Sequence, residues 1–361
     1  MPFEAKEKKG AIPSLSRNCI ARPPAYLVSF IHDVWIEAFM SFLKLSLCVF
    51  FISILFLSCG KKARDVSAQS TSSHNSADTT AIEFTDALNR KVTVTQANKV
   101  AVLQGSLAHI WLCAGGKLAA TTADTFTEAD ELSFNKEALS DAENLGALMS
   151  PNVELLIGGG YDFIILSSAM SAHTKLQSTL EEAGFTIAYF KVETFSDYLS
   201  MMQICTHITG DEEAYKTNAL AVSQKIDELK ATFNEKPSVL VLRTSSGKIT
   251  SRSARNDMSA AMLSDLGCVN IADEKQSLLE DVSLEKIIEA DPDFIFVTMM
   301  GADSAKALAH LESTFAANPA WASLSAVKSG HYIILPRALF HFKPCEKWAD
   351  SYAFLISTLL S

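Results

Sequence analysis

The sequence predicts an α/β protein in which two lobes with mainly parallel sheets are joined by one long, rigid linker helix. Short apolar strand patterns alternate with helix patterns over residues 99–190 and again over 238–360, which is typical of parallel sheets covered by helices. Between these regions, residues 195–233 carry apolar side chains at helical spacing, with no proline and with Gly210 as their one glycine. We therefore expect an N-terminal lobe at 81–194, a linker helix region at 195–236 and a C-terminal lobe at 237–361.

Before the predicted lobes, the chain contains a secretory signal. Residues 45–57 read LSLCVFFISILFL, an uncharged run of 13 residues, whereas a helix that spans a bilayer needs about 20. The run has the length of a secretory h-region, and Ser58, Cys59 and Gly60 follow at once. We expect Cys59 to be lipidated and to become the N-terminus after cleavage, because acyl chains hold a soluble domain at a membrane. A plain secretory peptide or a short membrane anchor is the alternative.

The regions on either side of this run complete the N-terminal organisation. We interpret residues 40–58 as a lipoprotein signal peptide that opens at Met40. Residues 1–39 contain prolines and acidic residues and no targeting pattern, so we interpret them as an upstream extension outside the natural product. Residues 59–80 are rich in Ser, Thr and Ala and are expected to be a flexible tether. The remainder should work outside the cytoplasm, anchored to a bacterial membrane.

The predicted N-terminal lobe begins with a hairpin around residues 82–95 and continues with helices and strands in alternation. The first helix closes on Gly115 and Gly116, as helices often do. The elements after the hairpin are a strand at 99–104, that helix at 107–116, a strand at 118–123, a polar segment at 125–144, a helix that opens with Pro151, a strand at 162–166, a helix at 175–183 and a strand at 186–190.

The linker region should contain two successive helices, because Gly210 and Asp211 interrupt its apolar pattern. The second helix, about 23 residues at about 1.5 Å each, would span roughly 35 Å, and Pro237 ends it. The C-terminal lobe should then contain a strand at 238–242, a short edge strand at 248–250, helices at 259–266 and 284–290, a buried strand at 293–299, helices at 304–317 and 319–327, a strand at 331–335 and a closing helix at 348–360.

Composition and motifs exclude several classes of function. The net charge of −10 argues against a nucleic-acid partner. The chain has no GxSxG, HExxH, Walker A or dinucleotide-binding motif, so we expect no enzymatic activity. The cysteines beyond Cys59 show no CxxC or other metal-ligand spacing, so we expect no resident metal or cofactor and interpret them as isolated buried thiols, with disulfides as the alternative. They are Cys113, Cys205, Cys268 and Cys345.

Four segments resemble one known family in their order and spacing. They read DALNRKVTV, PNVELLIGGGYDFIIL, VSLEKIIEADPDFIFV and NPAWASLSAVKSGHYIILPRALFHFKP. Over nearly all of residues 81–361 the chain resembles the periplasmic-binding proteins with a rigid linker helix (the class III fold), which deliver ferric siderophores, haem or vitamin B12 to ABC importers. Tyr161 departs from the pattern, since the family usually has proline there. The resemblance implies a monomeric, lipid-anchored substrate-binding protein that presents a metal chelate to a permease and its ATPase.

The resemblance also assigns a role to one glutamate in each lobe. In the family, a surface glutamate of each lobe meets arginines of the permease, and the matching positions here are Glu154 and Glu285. Two carboxylates held far apart on rigid lobes would orient the complex, because arginine pairs with carboxylate in a defined geometry. Taken without the resemblance, each is a solvated glutamate in the first turn of a helix, a position that the helix dipole favours.

The ligand of a two-lobed α/β binder lies between the lobes, at the carboxyl ends of the strands. The richest loop at such an end is 337–343, since aromatic faces suit a macrocycle or a catecholate and cationic groups suit an anionic ferric chelate. His341 is either a ligand of the bound metal centre or a hydrogen-bonded structural residue. The predicted cleft residues are Gln104, Ser106, Phe126, Ser168, Met170, Arg243, Arg252, Arg255, Met300, Arg337, Phe340, His341 and Lys343.

A receptor for Zn or Mn ions, which shares the linker-helix plan, is the alternative to a chelate-binding protein. Such a receptor needs three or four His, Asp or Glu side chains that converge on one ion. Only three histidines, His109, His173 and His341, lie near predicted cleft loops, and the sequence has no histidine-rich loop.

Overall fold

The computed structural model describes residues 81–131, 136–280, 282–301 and 303–361. They fall within one compact unit, Ser76–Ser361. The predicted extension, signal peptide and tether, with the lipidation site Cys59, lie outside the described residues. In the part of the chain that is described, none of the helices has the length and apolar character needed to cross a membrane.

Two five-stranded sheets form the framework of this unit, with helices packed on them. The strands are β1 Ile82–Thr85, β2 Lys91–Val94, β3 Val100–Val102, β4 Ala120–Thr121, β5 Glu143–Asn144, β6 Gly146–Ala147, β7 Ser150–Pro151, β8 Phe163–Ser167, β9 Ile187–Phe190, β10 Ser238–Thr244, β11 Ile249–Ser251, β12 Val269–Asn270, β13 Phe294–Met299 and β14 Tyr332–Ile334. The helices are α1 Gly105–Cys113, α2 Ala123–Thr127, α3 Val153–Gly158, α4 Ser171–Thr174, α5 Gln177–Glu182, α6 Phe195–Thr209, α7 Glu212–Tyr215, α8 Ala221–Lys230, α9 Met258–Asp265, α10 Ile271–Glu274, α11 Gln276–Glu280, α12 Leu284–Ala290, α13 Ser304–Leu311, α14 Ser325–Lys328, α15 Arg337–Phe340 and α16 Trp348–Leu359. Short 3-10 turns lie at Lys136–Leu139, Trp321–Ser323 and Cys345–Lys347, and π-helical turns at Lys216–Leu220 and Glu312–Ala316.

The N-terminal sheet has the strand order β5-β4-β3-β8-β9, and all of its pairs are parallel. The C-terminal sheet has the order β11-β10-β13-β14, with β12 also paired to β10. Its pairs are parallel except for β10 with β11. Strands β8 and β9 are buried along their whole length, as is β13 except at its last residue, which explains why their sequences read as continuous apolar runs. The mixed α/β architecture with mainly parallel sheets is therefore confirmed.

One aspartate fixes the start of the central strand pair in each sheet. The Asp162 carboxylate accepts hydrogen bonds from the backbone N–H groups of Asn98, at 3.0 Å, and Lys99, at 2.8 Å, just before β3. The Asp293 carboxylate accepts a bond from the Ser238 backbone N–H, at 2.8 Å, where β10 begins. Both aspartates directly precede a buried strand, so the two sheets set the register of their central pairs in the same way.

The segment between the sheets forms a nearly continuous helical run. Helix α6 ends at Gly210, which has a φ of 76°, a left-handed conformation that glycine adopts without steric cost. A second stretch, from Glu212 to Lys230, joins α7, a π-helical turn and α8. The predicted break at Gly210 is confirmed, but the second stretch is shorter than predicted, because the chain leaves helical geometry after Lys230. Its 19 residues span about 28 Å.

Other predicted helices also differ from the structure. The helix predicted to open with Pro151 begins at Val153 instead, because the side chain of Asn152 caps it by accepting a bond from the Leu155 N–H at 3.1 Å. The helix predicted at 175–183 is shortened to α5, and a separate short helix, α4, precedes it. The helix predicted at 319–327 is replaced by the 3-10 turn Trp321–Ser323 and α14.

The helical run contacts elements on both sides of it. Helix α6 packs against α1, and α8 packs against α16. Trp348, at the start of α16, is fully buried and its ring lies 5.6 Å from that of Phe195 and 6.2 Å from that of Tyr198, both on α6. The indole N–H of Trp348 has no hydrogen-bond partner among the described residues. This ring therefore connects the C-terminal helix to the helical run by packing alone.

We expect Trp348→Ala to lower the free energy of unfolding by about 3–5 kcal/mol, because it leaves a large cavity in the core. Trp348→Phe should cost less, since it keeps an aromatic ring and removes an unpartnered donor. The exposed Leu360, beside the end of the same helix, provides the control, and Leu360→Ala should change stability by no more than about 0.5 kcal/mol. Urea unfolding followed by circular dichroism measures all three, and equal costs for Trp348→Ala and Leu360→Ala would contradict the packing described.

Candidate ligand-binding site

A cavity of about 320 Å³ lies where the carboxyl ends of strands from both sheets meet. The N-terminal sheet contributes residues that follow β3 and residues at and after the ends of β8 and β9. The C-terminal sheet contributes Arg243 near the end of β10 and residues that follow β11, β13 and β14. The lining residues are Gln104, Ser106, Leu107, Ser167, Ala169, Met170, Phe190, Lys191, Val192, Glu193, Arg243, Arg252, Asn256, Asp257, Met258, Met300, His341 and Lys343.

Most of the predicted cleft residues line this cavity. Because the loops that follow parallel strands lie at one edge of each sheet, residues that are far apart in sequence come together there. The predicted residues found in the lining are Gln104, Ser106, Met170, Arg243, Arg252, Met300, His341 and Lys343.

Five predicted residues lie outside the lining. Phe340 is buried, and its ring packs 5.6 Å from that of Phe354, because the apolar side chain of α15 turns into the core. Phe126 also packs against the core. Arg255 is exposed. The backbone N–H of Ser168 donates a hydrogen bond to the carbonyl oxygen of Phe190, the last residue of β9, at 3.0 Å. Arg337 lies outside the cavity lining, and its Nε donates a hydrogen bond to Oε2 of Glu131 at 3.1 Å.

Sequence reasoning missed the segment 190–193, which follows β9 and lines the cavity with Phe190, Lys191, Val192 and Glu193. The apolar pattern predicts the strand at 186–190, so the expectation that ligand-binding residues follow the carboxyl ends of strands applies to this segment too. The signal was weak because a helix cap, Thr194, follows within a few residues and leaves almost no loop.

Asp257 organises the cationic wall of the cavity. The carboxyl group is nearly inaccessible, with 1% of the side chain exposed, and its Oδ2 lies 2.5 Å from Nη2 of Arg243 and 3.5 Å from Nε of Arg252. Its other oxygen, Oδ1, accepts bonds from the backbone N–H groups of Ser259 and Ala260 at the start of α9. One carboxylate therefore faces two guanidinium groups, which leaves one positive charge in excess.

Lys343 adds a further amino group to the lining. Its side chain is half-buried, and desolvation lowers its pKa, while Glu193 and Asp257 act in the opposite direction. The remaining charged pair of the lining, Lys191 with Glu193, is neutral as a pair, because the ammonium and the carboxylate lie 2.6 Å apart. The two arginines that share Asp257 thus give the lining an excess of positive charge, although the whole chain is acidic.

His341 is a neutral group inside this cationic environment. Burial lowers its pKa to about 4, and the positive charges of Arg337 and Arg243 act in the same direction. Its Nδ1 atom is buried and has no hydrogen-bond partner among the described residues. Its ring packs edge-on against Phe342, 4.5 Å away. The imidazole is therefore unprotonated at neutral pH.

The other histidines proposed near the cleft do not line the cavity. His173 is buried, and its ring nitrogens contact the backbone of Ser167 and Leu148 at 3.2 and 3.0 Å, so its role is structural. His109 lies on α1 beside Cys113 and Glu346, in the one group of metal-ligand side chains found among the described residues, and none of the three lines the cavity.

The four cysteines among the described residues form no disulfide, and two of them fit the interpretation as isolated buried thiols. Cys205 and Cys268 are buried, and burial raises their pKa values. For Cys113 the interpretation is wrong, because this thiol is only half-buried and its Sγ lies 3.2 Å from a Glu346 carboxylate oxygen.

The two glutamates proposed for docking are both exposed and both lie in the first turn of a helix, Glu154 in α3 and Glu285 in α12. Large apolar side chains close to Glu154 in sequence are also exposed: Met149 is 60% exposed, Leu155 37% and Ile157 45%.

Comparison with known proteins identifies the family. The family model described as periplasmic binding protein matches residues 100–339, which is more than half of the chain. The chain belongs to the periplasmic binding protein family. A comparison with curated protein sequences gives no match. Periplasmic binding proteins act outside the cytoplasm, and the family consists of binding proteins for transport, not of enzymes.

Solved structures of periplasmic binding proteins share the fold. The catecholate-siderophore binding protein VctP from Vibrio cholerae has 16% sequence identity and a TM-score of 0.62, covering 78% of this chain and 100% of that one. The vitamin B12 binding protein BtuF from Vibrio cholerae has 21% identity and a TM-score of 0.57, covering 73% and 96%. The iron-uptake system-binding protein FeuA from Bacillus subtilis has 25% identity and a TM-score of 0.54, covering 77% and 98%.

We expect the buried His341 to make the protein acid-sensitive. Its pKa is about 4 in the folded chain, against 6.5 for an unperturbed histidine, so between these values the unfolded chain alone binds the proton. Stability should therefore be unaffected above about pH 7 and should fall by roughly 3 kcal/mol as the pH drops to about 4. Urea unfolding of wild type and His341→Gln at several pH values checks this: the two curves of stability against pH should run parallel near neutrality and diverge below it. Parallel curves throughout would show that the ring is not desolvated.

Proposed function

We propose that this periplasmic binding protein is the solute-binding component of an ABC importer and that it captures an iron chelate in the cavity between the two sheets. The observation that supports this best is the excess of positive charge in the lining, which Arg243 and Arg252 provide around Asp257. Arginine and lysine bind the carboxylate and catecholate oxygens of anionic chelates. The names of similar structures agree in class, since they include binding proteins for a catecholate siderophore, haem and vitamin B12.

Among these cargo classes, the cavity favours a ferric siderophore. A corrinoid presents mainly neutral amide groups, which do not use a cationic wall. Haem offers two carboxylates but also a large flat macrocycle, and the lining contains only one phenylalanine, Phe190, and no tyrosine or tryptophan to stack on it. The volume of about 320 Å³ lies near the lower end of the roughly 300–1,000 Å³ of ligand sites, so a large macrocycle requires the cavity to open.

The proposed cycle is capture and release without covalent chemistry. In this proposal residues 81–194 and 237–361 form two lobes, and the region 195–236 is a rigid linker. Because the helical run packs on α1 at one end and on α16 at the other, it limits lobe closure, so ligand binding involves small motions of the loops around the cavity.

Two further proposals concern the membrane. The protein is monomeric and is anchored by lipid on Cys59, after removal of residues 40–58, which the sequence around that cysteine supports. Glu154 and Glu285 dock on the permease, a role supported by their exposure in equivalent first helical turns and by the exposed apolar side chains close to Glu154 in sequence.

We expect Lys343→Met to weaken the binding of a ferric tris-catecholate about tenfold, because it removes an amino group that would donate to the chelate oxygens, at nearly constant side-chain volume. Binding can be measured by quenching of tryptophan fluorescence at low and high salt. Lys248→Met provides a matched control, since Lys248 is exposed and lies outside the cavity lining.

The same titration with cobalamin and haem tests the choice of cargo. Cobalamin affinity should be insensitive to Lys343→Met, because no charge pair is lost. Tight binding of cobalamin together with failure to bind any ferric catecholate or carboxylate chelate would contradict the proposal.

Docking is tested by charge reversal. We expect Glu154→Arg and Glu285→Arg each to reduce chelate uptake by cells at least about tenfold, because like charges would oppose the permease arginines, while the purified variants bind the chelate normally. Glu182→Arg is the control, since this glutamate is exposed on the N-terminal half at the end of α5, and uptake should be retained. Normal uptake with both reversed glutamates would show that the docking surface lies elsewhere.

A further inference from the structure

A cluster of potential metal ligands lies outside the cavity, between α1 and the 3-10 turn that precedes α16. Nε2 of His109 lies 3.4 Å from Oε2 of Glu346, and Sγ of Cys113 lies 3.2 Å from the same oxygen. The three ligand atoms are all within 4.8 Å of one another. Nitrogen, sulfur and carboxylate oxygen are the donor types that zinc binds in proteins.

The fold explains why these three side chains converge. His109 and Cys113 are four residues apart on α1 and therefore share one face of the helix. Glu346 belongs to the 3-10 turn Cys345–Lys347, which follows the C-terminal sheet and reaches back to α1. The sequence separation of more than 230 residues between Cys113 and Glu346 hides the group from any search for spaced motifs.

The separations match a tetrahedral site. Zinc bonds of about 2.0–2.3 Å place neighbouring tetrahedral ligands roughly 3.3–3.8 Å apart. Two of the three separations, 3.4 and 3.2 Å, are within a few tenths of an ångström of this range, and the third is no more than 4.8 Å, so side-chain adjustments would bring the three donors onto one ion. The Glu346 side chain is 33% exposed, which gives the ion a route from solvent.

A second thiol, that of Cys345, lies close to Cys113 without belonging to the cluster. Cys345, whose backbone adopts a left-handed φ of 51°, has its Sγ 3.3 Å from the Lys343 carbonyl oxygen, and it lies outside the group of three mutually close ligands.

We propose that His109, Cys113 and Glu346 bind a divalent zinc-class ion, with solvent in the fourth position. This ion is not the transported cargo. It would connect α1 to the C-terminal segment directly behind the cavity, where the backbone N–H of Lys343 already donates to Oγ of Ser106 at 3.3 Å. Both Ser106 and Lys343 line the cavity, so the ion would fix the relative position of two cavity walls that come from opposite halves of the chain.

The test uses the full-length chain, reduced, stripped of metal with a chelator and titrated with Co²⁺ and then Zn²⁺. We expect intense d–d bands typical of tetrahedral Co²⁺ and a thiolate-to-metal charge-transfer band, both lost when Zn²⁺ displaces the cobalt. Cys113→Ser should abolish the charge-transfer band. His109→Gln and Glu346→Gln should weaken Zn²⁺ binding by roughly 100-fold or more, because even outer-shell substitutions cost about 10–100-fold.

Cys345→Ser is the matched control, because it removes the neighbouring thiol but none of the three ligands, and it should retain the charge-transfer band. Circular dichroism establishes that each variant is folded. Three results would overturn the proposal: no tetrahedral cobalt spectrum in the reduced wild type, loss of the charge-transfer band in Cys345→Ser, or a Cys113–Cys345 disulfide found by peptide mapping of the protein isolated without reductant from its membrane.

Discussion

Parallel pairing of buried strands is the constraint on which the rest of this protein depends. Because the strands of a parallel pair run in the same direction, their carboxyl ends emerge at one edge of the sheet, and everything that follows them is brought together there. In each sheet an aspartate, Asp162 or Asp293, ties the start of one central strand to the start of its neighbour. The cavity exists because the two edges built in this way face each other.

The features predicted well from sequence are those that depend on local patterns. Continuous apolar runs predict the buried strands, and Gly210 predicts the break in the helical run because glycine adopts the left-handed conformation there without steric cost. The edge rule then located residues such as Gln104, Arg243 and Met300 in one cavity without any knowledge of their distances. The relation between strand ends and ligand sites is a consequence of topology, so it survives at low sequence identity.

The features that sequence could not provide depend on contacts across the chain. Whether Phe340 faces a ligand or the core is decided by the packing of α15 on α16, which no local pattern contains. The charge of the cavity is another example, because it follows from the sharing of Asp257 between two arginines. The grouping of His109 with Glu346 likewise arises only when the C-terminal turn returns to α1.

The double attachment of Asp257 has a consequence for how binding specificity can change. One of its oxygens contacts two guanidinium groups and the other caps α9, so a substitution of Asp257 alters the cationic wall and also frees backbone donors of a core helix. Among the described residues, the side-chain amino group of Lys343 has no comparable hydrogen bond to a helix end. In related proteins that bind a different ligand, we expect Lys343 to be replaced and Asp257 to be retained with its two arginines. Changes in ligand specificity would then occur at Lys343, while the arginine–aspartate cluster stays the same.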